Sequence, residues 1–221
     1  MSMNLRGERG FTLAELMVAT MVTMLVLGGA VVMTSQVQTS FRKQIEDSAG
    51  EQEGRYALEW ISRLIRAAGN NPFGLPLVVG ATASCPVANT PYSWVIIDPN
   101  DDDINNDIRL QADSNPPDGI LGGALCDQAN EDITVSYDPT TSSITFLDNN
   151  LGGAATVRTD AVIDNLLFVY KDVTHTATTN PANIVYIETQ VRIRTRTLDA
   201  VTMRPETRLL TQEVRLRGRN F

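Results

Sequence analysis

Residues 11–33 read FTLAELMVATMVTMLVLGGAVVM and carry a single charge, Glu15. Wound as a helix at about 1.5 Å per residue, this run reaches roughly 34 Å, enough to cross the hydrocarbon core of a bilayer. Ten of its residues are Phe, Leu or Val. Each favours insertion by about 0.3–0.6 kcal/mol at mid-membrane, and their sum outweighs one carboxylate near the end of the span. The segment is expected to enter a membrane. Before it stands a short polar leader, MSMNLRGERG, with Arg6, Glu8 and Arg9. Three readings are open. A cleaved secretory signal wants a shorter apolar core and a small-x-small cut site after it, whereas Gly28-Gly29-Ala30 lies inside the run and Thr34-Ser35-Gln36-Val37 is a poor site. A plain anchor leaves Glu15 unexplained, because a lone carboxylate in hydrocarbon is costly. The third reading takes Gly10, Phe11, Glu15 and the charged leader together.

The helical pattern outlasts the apolar run. Phe41, Ile45, Ala49, Gln52, Tyr56, Ala57, Trp60, Ile61, Leu64, Ile65 and Ala68 recur mostly at steps of three and four, with Arg42, Lys43, Glu46, Glu53, Glu59, Arg63 and Arg66 between them. One helix is expected from about Phe11 to Ala68, stopped by Gly69-Asn70-Asn71-Pro72. Its second half is amphipathic, with the Tyr56/Trp60 stripe in a core and local weak points at Gly50 and Gly54. Residues 70–132 show no sustained period and read as loop-rich and acidic. From about Ile133 the pattern turns to strands: ITVSY, SITFL, AVIDNLLFVY, ANIVYIETQVRIRTRTL and TRLLTQEVRLRG. Asp138-Pro139-Thr140-Thr141 is a hairpin turn between the first two, and Asp199 to Glu206 joins the last two. Alternation sets Arg192, Arg194 and Arg196 on one face, with Val191 and Ile193 on the other. The fold class is α+β: a long N-terminal helix, half transmembrane and half amphipathic, packed on an antiparallel sheet over 133–221.

Composition narrows the function. The chain has 221 residues, two cysteines, one histidine and a net charge of −8. So acidic a surface repels nucleic-acid phosphate, and no nucleic-acid partner is expected. Two cysteines and His175 cannot supply a four-thiolate zinc site, an iron–sulfur cluster or a His-rich centre. Without a second histidine there is no nucleophile–base constellation, so an enzyme is not expected, and no cofactor is required.

The stretch Arg9-Gly10-Phe11-Thr12-Leu13-Ala14-Glu15-Leu16 resembles the prepilin-type processing motif of type IV pilins and type II secretion pseudopilins. GRYALEWISRLIRAAGNNPFG, IDNLLFVY at 163–170 and the terminal EVRLRGRNF are similar to PilW-type minor pilins. The resemblance is strong over 6–33, moderate over 54–73 and 162–221, and poor in the middle. It implies cleavage by a prepilin peptidase between Gly10 and Phe11, N-methylation of the new Phe11 amine, and retention of the apolar helix. It also implies that Glu15 pairs with the amino terminus of a neighbouring subunit and fixes axial register in a filament. The alternative is that Glu15 snorkels to the headgroups. Val32 stands where many major pilins carry a helix proline, so any local melting should centre on Gly28-Gly29. The implied protein is a filament subunit, held in the bacterial inner membrane with its head in the periplasm and then moved into a pilus with other pilins. A larger minor pseudopilin of type II secretion is the near alternative. An uncleaved membrane-anchored calcium-binding or adhesin domain is the alternative of another class.

Three further expectations concern the head, residues 70–221. Cys85 and Cys126 lie on the extracytoplasmic side of this topology, where a disulfide would close a loop of about 42 residues and contribute roughly 4 kcal/mol in the chain-entropy account. Two separate buried thiols are the alternative. Asp113, Asn115 and Asp118, with Gly119 following, approximate the start of a calcium loop that is one residue too long, with Glu131-Asp132 downstream. A solvated acidic turn is the alternative there; eleven acidic residues and the single base Arg109 fall between Asp98 and Asp138. The strand arginines are expected to face cross-strand partners such as Glu188 and Glu213.

Overall fold

The computed structural model describes residues 11–71, 94–114, 117–119, 121–122, 127–198 and 204–217. Gly10, Cys85, Asn115, Cys126 and the side chain of Arg196 lie outside them, and with them the disulfide pairing. The chain divides into two compact units, residues 1–45 and 46–221. One helix, α1 (Leu13–Ala67), contributes to both. It runs unbroken because the first proline of the chain is Pro72.

In the first unit every residue from Phe11 to Arg42 is exposed. The hydroxyls scattered through this apolar stretch are satisfied within the helix. Thr20 donates to the Met17 carbonyl at 2.9 Å, Thr23 to Ala19 at 2.7 Å, Thr34 to Ala30 at 2.8 Å and Ser35 to Val32 at 2.7 Å. They therefore carry no unmet polar demand into an apolar surrounding.

The second unit joins the rest of α1 to two antiparallel sheets. The first has the order β1 (Val95–Ile97), β2 (Asp107–Gln111), β3 (Asp132–Asp138), β4 (Ser143–Asp148) and β5 (Thr156–Val157). The second has β6 (Ile163–Lys171), β7 (Tyr186–Leu198) and β8 (Pro205–Arg215). Ala57, Ile61 and Ile65 of the helix, Ile108, Val135 and Ile144 of the first sheet, and Leu166, Phe168, Ile187 and Val191 of the second share one core. Trp60 meets Phe146 of β4 with ring centroids 5.9 Å apart. The helix ends at Gly69, whose φ of 79° is left-handed and whose N–H donates to the Gln111 carbonyl at 2.8 Å. A Cβ there would lie 2.1 Å from the Trp94 ring, so the residue is glycine for space as well as for conformation.

Three sequence expectations change. The segment read as loop contains β1 and β2. DIRLQ hid its strand character because Asp107 and Gln111 are buried along with Ile108 and Leu110, and Gln111 is buried with Asp132 of β3 as its partner. The expected single sheet is two, separated between Val157 and Ile163. The buried face of α1 is also rotated from the one read from periodicity. Before Ala57 it passes through Gly50 and Gly54, whereas Tyr56 is 53% exposed and Phe41 and Ile45 are exposed. The two glycines set this face. A Cβ on Gly54 would fall 2.6 Å from Leu210 Cδ1 and 2.9 Å from Ile193 Cγ2, so the helix backbone lies almost directly on β7 and β8.

Candidate functional site

At the start of α1, Thr12 and Glu15 cap the helix reciprocally. The Thr12 N–H and hydroxyl both donate to Glu15 Oε2 at 2.9 Å, and the Glu15 N–H donates back to Thr12 Oγ1 at 3.3 Å. This is a capping box, legible as Thr-x-x-Glu immediately ahead of an apolar run. Reading Glu15 only for its charge missed it. Within a single chain Glu15 is therefore hydrogen-bonded, and Phe11 stands exposed beside it. The cap holds the carboxylate at the helix N-terminus, where backbone N–H groups favour negative charge.

In the acidic middle, burial assigns roles that charge counting could not. Asp113, Glu131 and Asp132 are all fully buried. Asp113 accepts the Asp118 N–H at 3.0 Å on Oδ1 and the Gly119 N–H at 2.8 Å on Oδ2. Its own backbone is tied to the end of α1: its N–H donates to the Asn70 carbonyl at 2.9 Å, and Asn70 Nδ2 donates to its carbonyl at 2.7 Å. Glu131 accepts the N–H groups of Ser114 at 2.8 Å and Gly122 at 2.7 Å. Asp132 receives Arg109 through both Nε and Nη2, at 2.7 and 2.6 Å, together with Gln111 Nε2 at 2.9 Å and Asn149 Nδ2 at 3.0 Å. Asp113 and Glu131 are anchors for loop backbone, each oxygen holding an N–H that the loop would otherwise leave unpaired, while Asp132 gathers side-chain donors from β2 and from Asn149. Asp118 is exposed and accepts from Gln128 Nε2 at 2.9 Å. Among the described residues no three His, Cys, Asp or Glu side chains converge on a common metal position.

The arginine stripe also takes partners other than those expected. Arg192 approaches Asp164 at 4.0 Å, and Arg194 donates to Ser142 Oγ at 2.7 Å. Glu188 and Glu213 are served by Lys171 of β6 instead. The bulge at Asp164 in the β6–β7 pairing puts its carboxylate where Arg192 can reach it.

Residues 5–31 match the family model described as the prokaryotic N-terminal methylation motif. No curated protein and no solved structure matches the chain. The motif, joined to an apolar helix long enough to cross a membrane and an α+β head, indicates a type IV pilin- or pseudopilin-like protein. What the motif implies is processing by a prepilin peptidase, anchoring through the first helix and assembly with other pilins.

Proposed function

We propose that this chain is a minor type IV pilin of PilW type: a structural subunit, without catalytic activity or a required cofactor. It enters the pilus or its tip and initiation complex. Before assembly it is stored in the inner membrane by residues 11–33, with the head in the periplasm and Cys85 and Cys126 joined there. Prepilin peptidase cuts between Gly10 and Phe11, and the Phe11 amine is methylated. On assembly Glu15 exchanges its Thr12 donors for the amine of a neighbouring subunit. That exchange keeps the carboxylate paired throughout, which an apolar surrounding demands, and it sets axial register. The observation that carries the proposal is the processing motif on a helix whose apolar run, residues 11–33 with Glu15 its one charge, is exposed throughout. The single histidine, His175, is used structurally: Nδ1 lies 2.8 Å from Glu213 Oε1 and the ring stacks on Tyr186 at 4.2 Å.

The test is twofold. The mature protein should begin at Phe11, and Gly10→Val should leave the uncut precursor in the membrane. The tagged chain should then appear in sheared pili, with piliation lost on its deletion. Normal piliation together with failed export of secreted enzymes would instead make it a pseudopilin of type II secretion.

A further inference from the structure

The turn between β1 and β2 reads Asp98-Pro99-Asn100-Asp101-Asp102-Asp103-Ile104-Asn105-Asn106-Asp107. Asp98, Asn100 and Asp102 fall at alternate positions and the Ile104 carbonyl two places further on. Calcium loops present oxygens in this order at positions one, three, five and seven. Asp98 accepts the N–H groups of Asp102 at 3.3 Å and Asp103 at 2.8 Å, which curls the loop around its carboxylate. Asp103 occupies the sixth position, where such loops turn sharply, and has φ 64°. A solvated acidic turn would look the same up to this point.

Burial separates the two cases. Asp107, where the loop enters β2, is 2% exposed. Its carboxylate takes the Asn100 N–H, yet Oδ1 is buried with no hydrogen-bond partner. On a different sheet, the Tyr170 hydroxyl of β6 is likewise buried and unpartnered, in a residue 3% exposed. Asp98 and Asp102 act electrostatically on Asp107, and Asp107 and Asp98 act on Tyr170. The Asp107 Oδ1 atom, buried without a donor, therefore sits in the field of Asp98 and Asp102, and the buried Tyr170 hydroxyl sits in the field of Asp107 and Asp98. Each is costly alone, and at Asp107 the like charge of Asp98 and Asp102 adds to the cost. A hard cation gives Asp107 Oδ1 a partner and offsets the charge of all three carboxylates.

We propose that residues 98–107 form a calcium site, with Asp98, Asn100, Asp102, the Ile104 carbonyl and Asp107 as ligands and the Tyr170 hydroxyl beside them. Among the described residues no three acidic side chains stand as a finished cage, so the ion draws Asp98 and Asp102 in toward Asp107. Calcium suits a flexible set of six to eight oxygens, whereas magnesium holds its water and demands a tight octahedron. The site is also a clasp. The Asn105 carbonyl accepts the Phe168 N–H at 2.8 Å from β6, and the Asn106 carbonyl accepts the Tyr137 N–H at 3.1 Å from β3. An ion that orders the loop joins the two sheets.

The experiment uses the full chain in detergent micelles, titrated with calcium by calorimetry and melted in millimolar calcium or in chelator. One ion per chain and a melting temperature several degrees higher in calcium are expected. Asp98→Asn and Asp102→Asn, at partly or fully exposed positions where folding is safe, should each weaken binding by about tenfold or more. The neighbouring Asp101→Asn should leave it unchanged, as should Asp113→Asn in the other acidic loop. Terbium in place of calcium should luminesce through Tyr170, and Tyr170→Phe should dim that emission while calcium still binds. Absence of calcium binding by the native chain would overturn the proposal. So would binding that survives both loop variants, or that disappears with Asp113→Asn alone.

Discussion

Glu188 of β7 and Glu213 of β8 are direct cross-strand partners, so the three-stranded sheet sets two carboxylates face to face. Like charges so placed destabilise a sheet. Lys171 of β6 resolves the conflict by donating Nζ to Glu188 and, at 2.7 Å, to Glu213. The ammonium holds both carboxyls below their ordinary 4.5, with Gln190 adding a second donor to Glu188.

Lys171→Met should therefore lower stability near neutral pH by about 1 kcal/mol. Because both folded-state pKa values are depressed, their stabilisation is present above 4.5 and lost as pH falls through the lower folded values. The gap between native and variant should close on acidification. Thermal melts across that range check it, and a gap that widens in acid would contradict the assignment.

Gly50 and Gly54 make a paired prediction within one helix face. A Cβ on Gly50 meets only Ile193 Cδ1 at 3.9 Å, an ordinary contact, so Gly50→Ala should stabilise by about 0.5–1 kcal/mol through helix propensity. The same change at Gly54 drives into Leu210 and the stiff Cγ2 of Ile193. Overpacking there should cost about 1–3 kcal/mol. Denaturant unfolding of both variants should give opposite signs.

Glu131→Ala should cost about 2–4 kcal/mol, since it strands the buried N–H groups of Ser114 and Gly122. Asp127→Ala, exposed in the same acidic stretch, should change stability by less than about 0.5 kcal/mol. Equal effects would mean that net charge, and not the two hydrogen bonds, governs this loop.

Thr12→Ala and Glu15→Ala separate cap from register. Both break the reciprocal cap and weaken the helix start. Only Glu15→Ala removes the carboxylate that a neighbouring amine would take. Thr12→Ala should be cut and incorporated into filaments; Glu15→Ala should be cut and inserted in the membrane yet left out of them. Quantifying each variant in sheared filaments decides it.

The features legible in the residue order are those that neighbours in sequence enforce. An apolar run free of proline until Pro72 dictates a helix, Gly69 dictates its end, and Asp138-Pro139-Thr140-Thr141 dictates the turn between β3 and β4. Gly10, Phe11 and Glu15 are likewise readable, because the motif they belong to is a run of neighbours in sequence. Tertiary structure alone decided which carboxylates are structural. Asp113, Glu131 and Asp132 look like Asp101, Asp118 and Asp127 until distant N–H groups and Arg109 enclose them. It also decided that Gly50 and Gly54 are the contact face of the helix, and that Lys171 serves two glutamates on different strands. In each case the partner is one that folding, and not sequence adjacency, brings into contact, and burial makes it obligatory because an unpaired polar group or an overfilled gap costs more than the local preference it overrides.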